Sequence, residues 1–337
     1  MNCPICPRRC SLSENQTGFC GVRRNDHGRI TLITSGRTTG FAVDPIEKKP
    51  LFHFYPGAKI LSFGSIGCNL ACRYCQNAVT AHSNDSSLLT EHAEPQQVAA
   101  LAKRYECIGV AFTYNEPIIS TEYVQEVAAV CRNAGLKTVA VSNGYISESA
   151  RPAFFANMDA ANIDLKGFTE DFYRDYCQAT LEPVQETLKY LAKSPVWLEI
   201  TTLIIPTLND SAEVIKQQAD WIAKEIGLEV PLHFSAYFPT AAENNAPPPT
   251  PASTLFMARD IAATAGLRYV YTGNINDPAG EATFCPQCRQ TVIARNRYRI
   301  EEYHIDEDGC CPFCGQTIGG RFESCHIGCH SKIPAKN

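Results

Sequence analysis

Short apolar runs alternate with longer amphipathic segments between about residues 58 and 272 of the chain. Seven of these runs have the length and composition of buried strands: Lys59–Ser65, Ile108–Tyr114, Lys137–Ser142, Ala160–Leu165, Val196–Ile205, Leu232–Tyr237 and Arg268–Tyr271. Six segments with helical spacing lie between them, at about 95–105, 118–134, 147–157, 181–193, 211–226 and 252–265. Strands that alternate with helices predict βαβ units and a parallel sheet. Six or seven such units predict an α/β fold, a full or partial (β/α) barrel with its active site at the carboxyl ends of the strands.

The regions on either side of this repeat are rich in cysteine and turn residues. The pattern therefore predicts four parts: an N-terminal cysteine-rich module over 1–50, a barrel over 51–280, a zinc-ribbon-like module over 281–320 and a tail over 321–337. Each cysteine module is too short to bury a large apolar core, so we expect metal ligation to hold it together.

Composition narrows the class of protein. The 337 residues are 45% hydrophobic, enough for a full globular core, and the net charge of −5 argues against a protein that grips nucleic acid through its phosphates. The sequence has no apolar run of about 18 residues and no secretory leader at its start, so we expect no membrane span and a cytoplasmic location. In that reducing compartment the 17 cysteines indicate metal binding or catalysis rather than disulfides.

Three cysteines follow the first predicted strand closely. Cys68, Cys72 and Cys75 have the spacing C-x3-C-x2-C, which can wrap one face of an iron–sulfur cube. A [4Fe–4S] cluster usually takes four cysteines, so three leave one iron open for another ligand. The alternative is an incomplete zinc site or chance clustering, which the position at the mouth of a barrel disfavours.

This triplet resembles that of the radical SAM superfamily, which is built on a partial (β/α)6-type TIM barrel. The resemblance implies a [4Fe–4S] cluster on the three cysteines, with S-adenosylmethionine (SAM) chelated by the open iron. It also implies reductive cleavage of SAM to methionine and a 5′-deoxyadenosyl radical, which abstracts hydrogen from a substrate. Tyr74, before the third cysteine, matches the aromatic residue whose backbone contacts adenine.

Later strand ends carry further similarities to the family. Asn115-Glu116-Pro117 stands where the family usually has Gly-Glu-Pro, which implies that Glu116 accepts a hydrogen bond from the substrate's ammonium group. Ser142 and Asn143 resemble the segment that contacts the SAM carboxylate and ribose. Asp164 and Lys166 resemble the Asp-x-Lys segment of glycyl-radical activases. Taken singly, an Asn-Gly turn or a salt bridge at the rim would explain each motif as well.

Within the superfamily, the chain looks like the radical SAM component of the AmmeMemoRadiSam system. The matching segments are Cys-x2-Cys-Pro-Arg-x-Cys near the start, Asp44–Leu51, Tyr55-Pro56-Gly57, His233-Phe234 and the closing Cys-Pro-x-Cys pair. Pyruvate formate-lyase activases share the Asp-x-Lys segment but usually continue the third cysteine as Cys-x-Asn-Pro, where this chain has Cys75-Gln76-Asn77-Ala78. The resemblance implies an electron donor of the flavodoxin or ferredoxin type and a protein substrate or Memo-like partner.

Two further sets of four cysteines flank the barrel. Cys285, Cys288, Cys311 and Cys314 form two Cys-Pro-x-Cys knuckles, which predict a closed structural zinc site with an iron–sulfur cluster as the rival. The N-terminal set suits either zinc or an auxiliary cluster; its members are Cys3, Cys6, Cys10 and Cys20. The tail residues Cys325, His326, Cys329 and His330 indicate incidental metal affinity rather than a third site.

A few residues have two plausible interpretations. Cys107, Cys131 and Cys177 stand alone and are expected to be buried apolar side chains. The segment Glu47-Lys48-Lys49 is expected to be a solvated turn rather than a substrate clamp. His233 is either a hydrogen-bonded core residue or a proton donor.

The leading functional hypothesis is therefore a radical SAM enzyme with an unidentified substrate. Its first alternative is an activase that abstracts hydrogen from a glycine of a partner enzyme. An RNA-modifying radical SAM enzyme is a second alternative, which the acidic charge disfavours. A scaffold that binds metal without catalysis is a third.

Overall fold

The computed structural model describes residues 1–239 and 246–322. Its centre is a sheet in which consecutive parallel strands pair in chain order: Lys59–Phe63, Gly109–Phe112, Lys137–Ser142, Ala160–Asp164, Trp197–Ile204, Leu232–Ala236 and Val270–Gly273. An antiparallel strand, Phe41–Pro45, adds to the first of them. In the described residues the two edge strands do not pair with each other, so the barrel is partial, as predicted.

Helices cover the outside of the sheet and make the crossovers between its parallel strands. The longer ones are Pro95–Arg104, Thr121–Asn133, Arg151–Phe155, Glu182–Ala192, Ala212–Glu225 and Ala252–Thr264. Short helical segments cover Ile46–Lys48, Ala78–Ala81, Ser86–Leu88, Pro117–Ser120, Glu170–Phe172, Tyr173–Cys177 and Pro278–Glu281. The alternation predicted from the sequence is confirmed, and most bounds differ from the predicted ones by a few residues.

The helix predicted over 147–157 shortens the most. Ser147 does not enter the helix, because its backbone N–H donates to the carbonyl of Ile5 and its hydroxyl donates to the carbonyl of Pro4. The helix therefore begins at Arg151, with Pro152 in its first turn, where the missing N–H of proline costs no intrahelical bond.

The strands are buried on both faces, which is what covering helices produce in a parallel sheet. Close strand approach requires a glycine at one point: a Cβ on Gly109 would overlap the carbonyl of Lys137 on the neighbouring strand. Apolar side chains between sheet and helices form the main core, which also includes Cys6 of the N-terminal module and Cys72.

Two small sheets lie near the N-terminal module. Arg23–Asp26 pairs with Arg29–Leu32 as a hairpin, and Arg37–Thr38 pairs with Glu91–His92. Because Phe41–Pro45 belongs to the main sheet, that sheet starts earlier than the predicted boundary at residue 50.

The C-terminal module is a three-stranded antiparallel sheet of Thr283–Phe284, Thr291–Asn296 and Arg299–Tyr303. Its Arg295 is fully buried and donates hydrogen bonds to the carbonyls of Phe52 and Glu281, which attaches the module to the barrel. Within 1–239 and 246–322, none of the helices has the length and apolar character needed to cross a bilayer.

Candidate active site

A cavity of about 880 Å³ opens at the carboxyl ends of the parallel strands. Its lining includes the three central cysteines and the other residues selected from the barrel sequence: Cys68, Cys72, Tyr74, Cys75, Asn115, Glu116, Ser142, Asn143, Asp164 and Lys166. They come from the loops after four successive strands, which bring distant parts of the sequence to one edge of the sheet.

The cysteine loop is held by backbone contacts. Gly67, just before Cys68, has φ of +87°, and a Cβ there would overlap the carbonyl oxygen of Cys20. Further along the loop, Ala71 N–H donates to the carbonyl of Cys177 and Arg73 N–H to that of Tyr176, each at 3.0 Å. The loop therefore rests between the N-terminal module and the segment that follows the fourth parallel strand.

The three thiols are not grouped closely enough to surround a single ion. Among the described residues, no three sulfurs of this loop lie within 4.8 Å of one another, although all three line the same cavity. Four cysteines around one zinc ion would lie about 3.8 Å apart, from the Zn–S length of about 2.3 Å and tetrahedral geometry. A cube of four irons and four sulfides needs a wider opening.

Burial makes these thiols poor thiolates unless a cation joins them. It raises the pKa of Cys68 well above its usual range, and Glu116 raises it further. A hydrogen bond with Cys177, followed by burial, raises the pKa of Cys72, and burial raises that of Cys75. Lys166 opposes the shift at Cys72 and Cys75. Because metals bind the thiolate, loading of this site releases protons.

Glu116 organises the neighbouring strand end. Its carboxylate accepts from the backbone N–H of Ile118 at 3.0 Å, from the hydroxyl of Ser142 at 2.7 Å and from the backbone N–H of Asn143 at 2.8 Å. Burial nevertheless raises the pKa of Glu116 to about 7, against the effect of these donors. The carboxylate is thus a fixed acceptor that joins the loops after the second and third parallel strands.

Two asparagines link these loops to the cysteine loop by hydrogen bonds. Asn143 donates to the side-chain oxygen of Asn69 at 2.8 Å and lies 3.7 Å from the sulfur of Cys68. Asn115 donates to the carbonyls of Ile66 and Gly67, both at 3.1 Å, and accepts from the N–H of Ser65. Asn115 therefore fixes the exit of the first parallel strand.

Asp164 and Lys166 form an ion pair at the end of the fourth parallel strand, with 2.7 Å between Nζ and Oδ2. Burial would lower the pKa of Lys166, but Asp164 and the nearby thiols raise it above its usual value. Lys166 is thus a cation inside the cavity, close to Cys72.

Cys177 was expected to be a lone buried thiol, but it lies against the cysteine loop. Its sulfur is 3.3 Å from the hydroxyl of Tyr74, and a hydrogen bond with Cys72 lowers its pKa despite burial. Cys177 ends a π-helical turn, Tyr173–Cys177, and is followed by Gln178 in the left-handed conformation. Such turns are frequent at functional sites, but no periodicity in the sequence indicates this one.

The segment Glu47-Lys48-Lys49 is not the solvated turn that was expected. Glu47 and Lys49 are buried and line the cavity, whereas Lys48 is exposed. Lys48 and Lys49 both pair with Asp44 on the edge strand, at 2.9 and 2.8 Å. The hydroxyl of Tyr114 donates to the same carboxylate at 2.6 Å. Burial would raise the pKa of Asp44, but the two lysines and Tyr114 lower it well below its usual range.

His233 is a buried, hydrogen-bonded residue, the first of the two interpretations considered for it, and its role as a proton donor stays a prediction. It lines the cavity, and its Nε2 lies 2.7 Å from Glu199, a fully buried carboxylate on the neighbouring strand. Glu199 also accepts from the backbone N–H groups of Phe52 and His53 and from Trp197 Nε1. Burial would raise the pKa of Glu199, but His233 lowers it.

The C-terminal cysteines form a compact group that can hold a metal ion. All four sulfurs of Cys285, Cys288, Cys311 and Cys314 lie within 4.8 Å of one another, with 3.6 Å between Cys285 and Cys314 and 3.7 Å between Cys288 and Cys311. Against burial, the backbone N–H groups of Cys288 and Gln287 lower the pKa of Cys285 to about 7. The N-terminal cysteines line a separate small cavity, and Cys325, His326, Cys329 and His330 lie outside the described residues.

Comparison with known proteins agrees with this site. The family model of the radical SAM superfamily matches residues 64–218. The Uncharacterized protein MJ0808 of Methanocaldococcus jannaschii is 39% identical over 319 residues, 94% of this chain and 95% of that protein. A pyruvate formate-lyase-activating enzyme of Clostridium pasteurianum is 25% identical over 169 residues, 50% of this chain and 70% of the relative.

Among solved structures, a radical SAM methyltransferase from Sphaerobacter thermophilus superposes with a TM-score of 0.52 at 13% identity, covering 65% of this chain and 67% of that one. That likeness concerns the fold alone. The superfamily consists of enzymes that use a [4Fe–4S] cluster and SAM, and the cysteine loop described above has three thiols that could serve as ligands of such a cluster. With its partial barrel, its cysteine loop and its matching relatives, this chain belongs to the radical SAM superfamily.

Proposed function

We propose that this protein reductively cleaves SAM at a [4Fe–4S] cluster held by Cys68, Cys72 and Cys75 and uses the resulting radical to abstract hydrogen from a substrate in the same cavity. The observation that carries the proposal is the shared lining: the cysteine loop and the ends of the next three parallel strands face one 880 Å³ space. A cluster held there would pass one electron from an external reductant to the sulfonium of SAM, whose C5′–S bond would break to give methionine and a 5′-deoxyadenosyl radical.

The strand ends would hold SAM beside the cluster. We assign Glu116 to positioning the Ser142–Asn143 turn, whose polar groups would face the amino-acid part of SAM, because its carboxylate binds both residues of that turn. The ammonium group of Lys166 would pair with the carboxylate of SAM, and Asp164 would hold that lysine side chain in place. Tyr74 and Asn115 would shape the cysteine loop from either side.

The wall of the cavity beyond this turn would receive the substrate. It contains Lys49 and Glu47 on one side and His233 on another, all buried and polar. Among the described atoms, Glu47 Oε2 is a buried acceptor with no hydrogen-bond partner. A substrate with both polar and charged groups fits this wall better than an apolar one.

Replacement of each central cysteine tests the proposal. Cys68→Ala, Cys72→Ala and Cys75→Ala, assayed after anaerobic reconstitution and chemical reduction, should each lose 5′-deoxyadenosine formation, because three thiolates hold three irons. Cys107→Ala, which removes a buried cysteine outside the cavity, is the matched control and should keep the activity. SAM cleavage at the wild-type rate in any of the three variants would refute the assignment.

Activation of a glycyl-radical enzyme is a second candidate reaction. It is favoured by the similarity of half of this chain to a pyruvate formate-lyase-activating enzyme and by the Asp164–Lys166 pair. Assignment to the AmmeMemoRadiSam system, with a protein partner and a flavodoxin or ferredoxin as electron donor, is the alternative. Deuterium transfer into 5′-deoxyadenosine separates the two: an activase takes the label from a glycine of its partner and leaves a glycyl radical there.

The C-terminal group is proposed to hold one zinc ion. Its sulfur separations of 3.6 and 3.7 Å match those expected around a single tetrahedral ion, about 3.8 Å, and leave no room for a cluster. Cys314→Ala should release about one equivalent of zinc, measured by mass spectrometry of the metals, and lower the melting temperature, since such ions contribute folding energy. A fully loaded protein that contains only iron would contradict this proposal.

A further inference from the structure

The N-terminal cysteines converge on one small cavity. Cys3, Cys6, Cys10 and Cys20 all line it, although up to 17 positions separate them in the sequence. Backbone bonds hold them there: Cys3 N–H donates to the carbonyl of Cys10 at 3.0 Å, and Arg9 N–H closes a turn on the carbonyl of Cys6 at 3.1 Å.

The spacing of this set differs from that of the C-terminal group. No three of its sulfurs lie within 4.8 Å of one another, whereas all four of Cys285, Cys288, Cys311 and Cys314 do. A single zinc ion requires separations of about 3.8 Å for every pair. The same chain thus contains one cysteine set whose sulfurs are close enough to surround a single ion and another whose sulfurs are farther apart than a single ion requires.

The N-terminal set is also built into the central cysteine loop. Asn69, between Cys68 and Cys72, lines the N-terminal cavity, and Arg8 donates to its carbonyl at 2.6 Å. The side-chain oxygen of Asn69 accepts from Asn143 on the other side. In addition, the backbone of Cys20 contacts Gly67 so closely that no side chain fits between them. The two cysteine sets share a wall only one or two residues thick.

From these observations we propose that Cys3, Cys6, Cys10 and Cys20 hold a second, polynuclear iron–sulfur cluster next to the central one. Four cysteines complete the ligand set that such clusters ordinarily take, so this cluster would have no open iron and would not bind SAM. The shared wall through Asn69 places it beside the SAM-binding cluster. This inference is independent of the proposed substrate and of SAM cleavage itself.

Inorganic sulfide decides between a cluster and zinc, because a zinc site contains none. The full-length triple variant Cys68→Ala/Cys72→Ala/Cys75→Ala, reconstituted anaerobically, should retain iron together with sulfide and show the visible absorption of a cluster. The complementary variant Cys6→Ser/Cys10→Ser should lose about a third to a half of wild-type sulfide, the share of a [2Fe–2S] or [4Fe–4S] cluster beside one [4Fe–4S] cluster. Cys131→Ala is the control and should keep the wild-type content.

The opposite results would overturn the proposal. In the triple variant, these results are zinc without sulfide, or no metal at the N-terminal cysteines. In Cys6→Ser/Cys10→Ser, the contradicting result is a sulfide content equal to that of the wild type. If the triple variant fails to fold, the second variant gives the answer alone, since it keeps the central cysteines. Failure of SAM cleavage in the wild-type protein would refute the proposed function and leave these sulfide measurements valid.

Discussion

Replacing Glu116 by glutamine should weaken SAM binding while leaving the cluster in place. The substitution keeps the shape of the side chain but turns one oxygen into an N–H donor, and each of the two oxygens accepts from a backbone N–H, that of Ile118 or that of Asn143. At least one of these charge-assisted bonds is lost and two donors then face each other. A hydrogen bond to a charged group contributes about 1.5–3 kcal/mol.

That loss corresponds to roughly a 10- to 150-fold weaker affinity if the Ser142–Asn143 turn must be ordered for SAM to bind. The affinity is measured by anaerobic calorimetry on protein with a verified iron and sulfide content. Glu126→Gln, on the exposed side of the helix Thr121–Asn133, is the matched control and should bind as the wild type does. Normal SAM affinity in Glu116→Gln, at full cluster content, would refute the reasoning.

The pH dependence gives an independent check. Because burial raises the pKa of Glu116 to about 7, the carboxyl takes up a proton as the pH falls through that value, and one of its oxygens then stops accepting. If SAM binds the ionised form, the affinity of the wild type should fall by about tenfold per pH unit below 7, by linkage of one proton. Glu116→Gln has no such proton, so its affinity should be independent of pH over this range.

Two further predictions concern the framework of the site. Glu199→Ala removes a fully buried acceptor shared by His233 and two backbone N–H groups, and should destabilise the protein by about 3–5 kcal/mol. The loss is measured as a lower melting temperature, with the exposed Glu148→Ala as the control. Equal shifts in the two variants would contradict the prediction. Gly67→Ala and Gly135→Ala both place a side chain at positive φ, +87° and +77°, at a cost of about 1–2 kcal/mol. Only the Cβ at position 67 would overlap Cys20, so only Gly67→Ala should lower the iron content of the reconstituted protein. Equal iron content in the two variants would show that this contact is unimportant.

The sequence was sufficient to predict the elements whose local pattern and tertiary role agree. The strand Lys137–Ser142 has the predicted bounds, and the triplet Cys68, Cys72 and Cys75 is recognisable because its spacing is local. The residues after the strands could be placed on one edge because parallel strands share a direction.

What the sequence did not reveal depends on contacts between distant segments. Cys177 reaches Cys72 through a π-helical turn, and Lys49 is buried only because Asp44 on the edge strand pairs with it. Neither of these two contacts can be predicted from the spacing of the residues in the sequence. The separation of the N-terminal sulfurs, likewise, depends on how the chain brings Cys20 back towards Cys3, and the same residue spacing would permit a zinc site.

In the C-terminal module, one hairpin connects the cysteine group to the wall of the cavity. The strand Thr291–Asn296 begins beside the cysteine group, and the turn at its other end places Arg297 and Tyr298 in the lining of the cavity, where Arg297 N–H donates to Glu281 at 2.6 Å. Removal of a metal ion from the four cysteines would leave this hairpin, and with it that part of the cavity wall, less firmly fixed. A metal ion held by these four cysteines would therefore also fix part of the cavity wall, although none of the four lines the cavity.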